Sequence, residues 1–94
     1  MDEASSLFVL SGTQGPGKTT VAGLLARRFA LGAHVSGDAM QGMIVSGGRW
    51  PERKEMSPEA EQQLRLRLRN ACFIARSFLR AGFTVALDDI ITGD

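Results

Sequence analysis

Apolar residues in this chain fall into three short runs separated by stretches of helical period. Leu7 to Ser11, LFVLS, is an unbroken apolar run closed by Gly12. Such a run predicts a strand buried on both faces of a parallel sheet. From Lys18 the period becomes helical, with Val21, Leu24, Leu25 and Phe29 on one face. Arg27 and Arg28 fall in its last turns, where cations complement the helix dipole, and Gly32 is the expected stop. His34 to Ser36 predicts a second, very short strand closed by Gly37 and Asp38, and Ala39 to Val45 a short helix. Residues 47–56, GGRWPERKEM, are polar, start with glycines and contain Pro51, so they read as a loop.

Ser57-Pro58 has the form of a helix start: serine to cap free amides, proline at the first position, and Glu59 and Glu61 in the first turn. Leu64, Leu68, Ala71, Cys72, Ala75, Phe78 and Leu79 then form an apolar stripe running to about Ala81, with Cys72 expected as a small core residue. The alternating leucines and arginines around 66–69 would also suit a strand, but the caps and the length favour a helix. Gly82 ends it, and Phe83 to Leu87 predicts a third strand running into Asp88-Asp89. The order strand, helix, strand, helix, helix, strand predicts an α/β fold with a parallel sheet covered by helices.

Composition bounds this picture without changing it. The 94 residues make one small domain, with 44% hydrophobic and 22% charged residues, both ordinary globular values. A net charge of +1 argues against a large basic surface gripping nucleic acid unaided. One cysteine excludes an internal disulfide and a Cys-based zinc cluster, which suits a reducing compartment. With no signal peptide and no run of about 18 apolar residues, the expectation is a cytoplasmic protein without membrane contact.

The chemistry starts at GTQGPGKT, residues 12–19, where Gly12, Gly17, Lys18 and Thr19 meet the pattern G-x-x-x-x-G-K-[ST]. Glycines let successive amides converge on phosphate oxygens, and Gly15 adds further freedom. The helix that follows directs its partly positive end at the same oxygens. Lys18 reaches the outer phosphates as a point charge, and the Thr19 hydroxyl completes the shell of a Mg2+ ion. Chance gives this match in roughly a few chains per thousand at this length. A preceding strand and a following helix are the confirming context. Gly12, Thr13, Gln14, Gly15, Pro16, Gly17, Lys18, Thr19 and Thr20 are therefore the expected binding residues for a nucleoside triphosphate, taken as ATP.

Ligands of open parallel sheets bind beyond the carboxyl ends of the strands, where Asp38 and Asp88-Asp89 are expected. An apolar strand ending in Asp suits a magnesium site, with Asp88 the first choice and Asp89 the second. Asp38 could accept the proton of an attacking hydroxyl, and as a residue type it fits equally well as an N-cap of the next helix.

Together these segments resemble the P-loop small-molecule kinases, and within them the chloramphenicol phosphotransferase-like group and the kinase domain of polynucleotide kinases. The matching segments are GTQGPGKTT at 12–20, HVSGDAM at 34–40 and TVALDDI at 84–90. The resemblance implies a three-layer α/β/α P-loop NTPase fold over residues 1–94, with Asp38 as general base and Asp88 as a magnesium-side or substrate-side acid. The family usually continues with two more strands, an arginine-bearing lid and an adenine-holding segment. The expectation is thus a domain truncated after its third strand, its first strand at an exposed edge, binding nucleotide with little turnover.

The implied activity is transfer of the γ-phosphate of ATP to a hydroxyl of a small-molecule acceptor, with Asp38 and Lys18 catalytic and Thr19 and Asp88 holding Mg2+. An ATPase or nucleotide switch without an acceptor, and a nucleic-acid end kinase, stay open. A GTPase is disfavoured, since no Asn-Lys-x-Asp signature occurs. Arg65, Arg69, Arg76 and Arg80 line one side of the long helix and read as a solvated flank. Arg49, Trp50, Arg53 and Lys54 lie in a loop able to close over substrate, and His34 reads as structural.

Overall fold

The third apolar run, not the first, lies at the centre of the sheet. The computed structural model describes residues 6–11, 16–51 and 56–89, with the side chains of residues 16–19 outside that description. Its elements are β1 (Leu7–Ser11), α1 (Pro16–Ala26), β2 (Gly32–Ser36), α2 (Gly37–Gly42), α3 (Pro58–Arg80) and β3 (Thr84–Asp89). The sheet order is β1-β3-β2 and both pairings are parallel, with Val9 and Val35 flanking Leu87. The described residues therefore form a small α/β domain built on a three-stranded parallel sheet. No helix among the described residues is long and apolar enough to cross a membrane.

Side chains alternate across β3, and each set meets a different helix. Val85 and Leu87 join Ala33, Val35, Met40, Ala71 and Ala75 in a core beneath α3, with Ile74, Phe78, Leu79 and Phe83 packed against it. Ala86 faces the other way and meets Ala22 and Ala26 of α1, with Leu10 and Leu25 alongside. The path from β1 to β2 and the return from β2 to β3 cross the sheet in opposite directions. Connections of one hand that reverse direction must lie on opposite faces, and that is where α1 and α3 are found.

Several local expectations change. Every residue of β3 is buried, whereas β1 is largely exposed, with Leu7 and Val9 about half open to solvent. The unbroken apolar run predicted burial on both faces; β1 lies instead at the sheet edge also expected for it, pairs among the described residues with β3 alone, and has α1 on one of its faces. Phe8, on that covered face, stacks on Phe29 at 6.0 Å. The buried face of α1 carries Ala22 and Ala26, while Val21 and Leu24 are exposed. Alanine lets the helix backbone approach the sheet, so the small residues face inward and the branched ones are displaced outward.

Gly32 does not stop α1, which ends at Ala26; it opens β2. A Cβ there would overlap the Ala26 carbonyl, so glycine is needed for close approach. The expectations for α3 hold at both ends: the Ser57 hydroxyl accepts from the Ala60 amide at 3.0 Å, and Gly82 has φ +95°. Within α3, Cys72 is exposed, not a core residue. The buried stripe runs through Ala60, Leu64, Arg67, Ala71 and Ala75, and Cys72 lies one residue, about 100°, off that line.

Candidate functional site

Ser11 pairs across from Asp89, and Ser36 from Asp88, so all three strands end at one level. Ser11 ends β1 and Pro16 opens α1, so the 12–19 motif bridges the carboxyl edge of the sheet and the start of a helix. Gly12, Thr13, Gln14 and Gly15 lie outside the described residues, as do the side chains of Pro16, Gly17, Lys18 and Thr19. Thr20 is exposed on α1. Asp38 follows β2 directly, and Asp88 and Asp89 close β3. The chain segments carrying the predicted acids and the motif thus gather at one edge.

Adjacent residues of a strand point to opposite faces, and this separates the two carboxylates of β3. Asp88 shares the α1 face with His34. The Asp88 Oδ2 atom accepts from His34 Nε2, and the Asp88 side chain is almost wholly buried beside the partly exposed imidazole. His34 was read as structural, and its position beside Asp88 makes it part of the acidic edge. The ring packs beside Gly23 of α1, where an added Cβ would meet His34 Nδ1 at 3.7 Å, an ordinary contact.

Asp89 is on the α3 face, where Arg67 Nε and Nη2 donate to its Oδ1 at 3.0 and 2.7 Å. Both side chains are sealed, with exposures of 1% for Arg67 and 0% for Asp89. Gly37, the first residue of α2, stands against this carboxylate, and a Cβ at that position would overlap it. Arg67 also reaches Gln41 Oε1 at 3.5 Å, lies 6.0 Å from the Trp50 ring centroid, and comes within 3.6 Å of Asp38 Oδ1.

Asp38 is not the cap of α2. Ser36 is, its hydroxyl accepting from the Ala39 amide at 3.4 Å, so the helix starts earlier than the expected 39–45 and ends at Gly42. Asp38 is left in the first turn of α2, directly after β2, with its side chain 62% exposed. Two glutamines fasten the following segment. Gln63 Oε1 accepts from the Arg49 amide at 2.6 Å and from Gln41 Nε2 at 3.1 Å, and Gln63 Nε2 donates to the Gly47 carbonyl at 2.9 Å. This carries Trp50 to Arg67, while Arg53 and Lys54 lie outside the described residues.

Sequence reasoning missed Arg67, and a signal for it existed. Ala60, Leu64, Arg67, Ala71, Ala75 and Phe78 are spaced 4, 3, 4, 4 and 3 residues apart, so a lone charge occupies an apolar stripe. A buried arginine there requires an internal partner. Arg65, Arg69, Arg76 and Arg80 are all exposed, and Arg65 pairs with Glu61 at 3.1 Å one turn before it. Compared with protein-family models and with curated proteins, the chain matches none.

Proposed function

We propose that this domain is an ATP-dependent phosphotransferase acting on a hydroxyl of a small-molecule acceptor. The observation carrying the reading is convergence: the 12–19 phosphate-loop motif, Asp38 and Asp88 come from three strand ends aligned at one edge of a parallel sheet. Ligands of such sheets bind at that edge. In this reading Gly12 to Thr20 contact the triphosphate and Lys18 neutralises charge developing on the transferred group. Asp38, exposed and at the mouth, accepts the hydroxyl proton.

The residues present fit a magnesium ion. Mg2+ takes one or two carboxylates and fills its remaining positions with water and phosphate oxygens, and Asp88 offers one buried carboxylate with Oδ2 held by His34. Thr19 and Asp88 would hold the ion, which supplies charge neutralisation for the phosphates. Asp89 is a poor candidate, because it faces the other side of the sheet and is occupied by Arg67.

Two substitutions test the reading. Lys18→Ala should weaken ATP binding by about 10- to 100-fold, corresponding to roughly 1.5–3 kcal/mol for a lost charged contact. Asp38→Asn should leave ATP affinity unchanged, abolish transfer to hydroxyl acceptors and spare slow hydrolysis. Equal loss of transfer and hydrolysis would remove Asp38 as base. Hydrolysis with no acceptor found would favour a nucleotide switch.

A further inference from the structure

Asp38 has a placement problem. It sits on the second residue of a six-residue helix, largely exposed, and a proton acceptor must hold its oxygen within hydrogen-bond reach of one hydroxyl. Among the described residues the cation facing its carboxylate is Arg67, with Nη2 3.6 Å from Asp38 Oδ1. Arg67 is itself immobilised on every side. Asp89 takes Nε and Nη2, Gln41 takes Nη1, and the indole of Trp50 lies 6.0 Å from the guanidinium carbon.

We infer that Arg67 is a positioning residue that ties Asp38 to the central strand, through the chain Asp89–Arg67–Asp38; this rests on the phosphotransferase reading above. The Nη2 atom faces both carboxylates, at 2.7 Å from Asp89 and 3.6 Å from Asp38. Arg67 takes no part in proton transfer, because a guanidinium keeps its protons under all working conditions. Its planar fork is what the arrangement uses. A lysine placed there offers one nitrogen and cannot span Asp89, Gln41 and Asp38 in fixed directions. The glutamine clasp on residues 47–49 extends the same framework to Trp50, so base, wall and strand end move as one unit.

The decisive measurement is the Asp38 side-chain rotamer, read from three-bond couplings to Cγ in the isotopically labelled 94-residue chain. One dominant χ1 rotamer is expected in the unmodified protein, and averaging over rotamers in Arg67→Lys. Averaging already present without any substitution overturns the inference and needs no variant to fold. A folded Arg67→Lys chain that keeps the single rotamer overturns it as well. In phosphoryl transfer, Arg67→Lys should lower kcat about 10- to 100-fold, the scale of a misplaced catalytic group, with KM for ATP unchanged. A parallel loss of ATP affinity would mark Arg67 as merely structural. Because little turnover is expected of the 94-residue chain, failure of the unmodified chain to bind ATP is what would count against the phosphotransferase, while the rotamer result would still decide the role of Arg67.

Discussion

Removing the Asp89 carboxylate strands a buried cation, and the cost follows from the geometry. Arg67 donates twice to one oxygen, at 3.0 and 2.7 Å, and both side chains are closed to water. Breaking a buried pair by deleting one partner costs about 3–5 kcal/mol, because the survivor stays desolvated. A domain this size has a total stability of roughly 5–14 kcal/mol, at 0.05–0.15 kcal/mol per residue. Asp89→Ala should therefore remove a large fraction of the total. Asp38, at 3.6 Å, can recover part of it by turning toward the freed guanidinium. Asp89→Asn keeps an acceptor oxygen and should lose less, about 1.5–3 kcal/mol. Urea unfolding followed by far-ultraviolet circular dichroism measures both, with an unchanged m-value showing that the folded and denatured states are comparable. Adding Arg67→Met completes a cycle, and the double variant should lose at least ~2 kcal/mol less than the sum of the single ones. A cost below about 1 kcal/mol for Asp89→Ala, or additivity within about 0.5 kcal/mol, would refute this reasoning.

Two further outcomes concern the frame. Gly32→Ala sets a side-chain Cβ on the backbone carbonyl of Ala26 and should cost at least ~2 kcal/mol, whereas Gly42→Ala meets nothing within 4 Å and should stay within ~0.5 kcal/mol. Thermal melts of the two variants decide this, and similar losses in both would refute it. Among the described residues β1 pairs with β3 alone and exposes Leu7 and Val9. Such an edge invites association, so sedimentation at about 100 µM should show self-association that Val9→Lys suppresses; a monomeric unmodified chain would refute it.

The sequence was most readable where one local rule acts alone. Ser57, Pro58 and Gly82 mark the ends of α3 by capping and backbone freedom, and these need no tertiary partner. The alignment of Asp38 and Asp88 at one edge was legible too, because the parallel direction of the strands and their ends were. Burial was harder. Leu7 to Ser11 looks more deeply buried than β3, but which strand is central depends on pairings far apart in the chain. Val21 and Leu24 outrank Ala22 and Ala26 in hydropathy, yet the distance between helix and sheet is set by the smaller side chains. Arg67 was hidden by its neighbours: in a run of alternating leucines and arginines, one arginine on the inward line resembles the two that face water. Asp88 and Asp89 could be ranked only by knowing which face each one meets.

That divergence of neighbouring acids constrains how the chain can mispair. A strand slipped by one residue exchanges its two faces. Slipped one way, β3 would present Leu87 to His34 and Asp88 to Arg67; slipped the other way, it would present Asp89 to His34 and Ile90 to Arg67. Either error sets an aliphatic side chain against a polar partner that the native pairing satisfies. Ala86 would also give way to a larger neighbour, Val85 or Leu87, beneath the closely approaching alanines of α1. The two acids at the end of β3 thus act as a checksum on its alignment, read independently from opposite sides of the sheet.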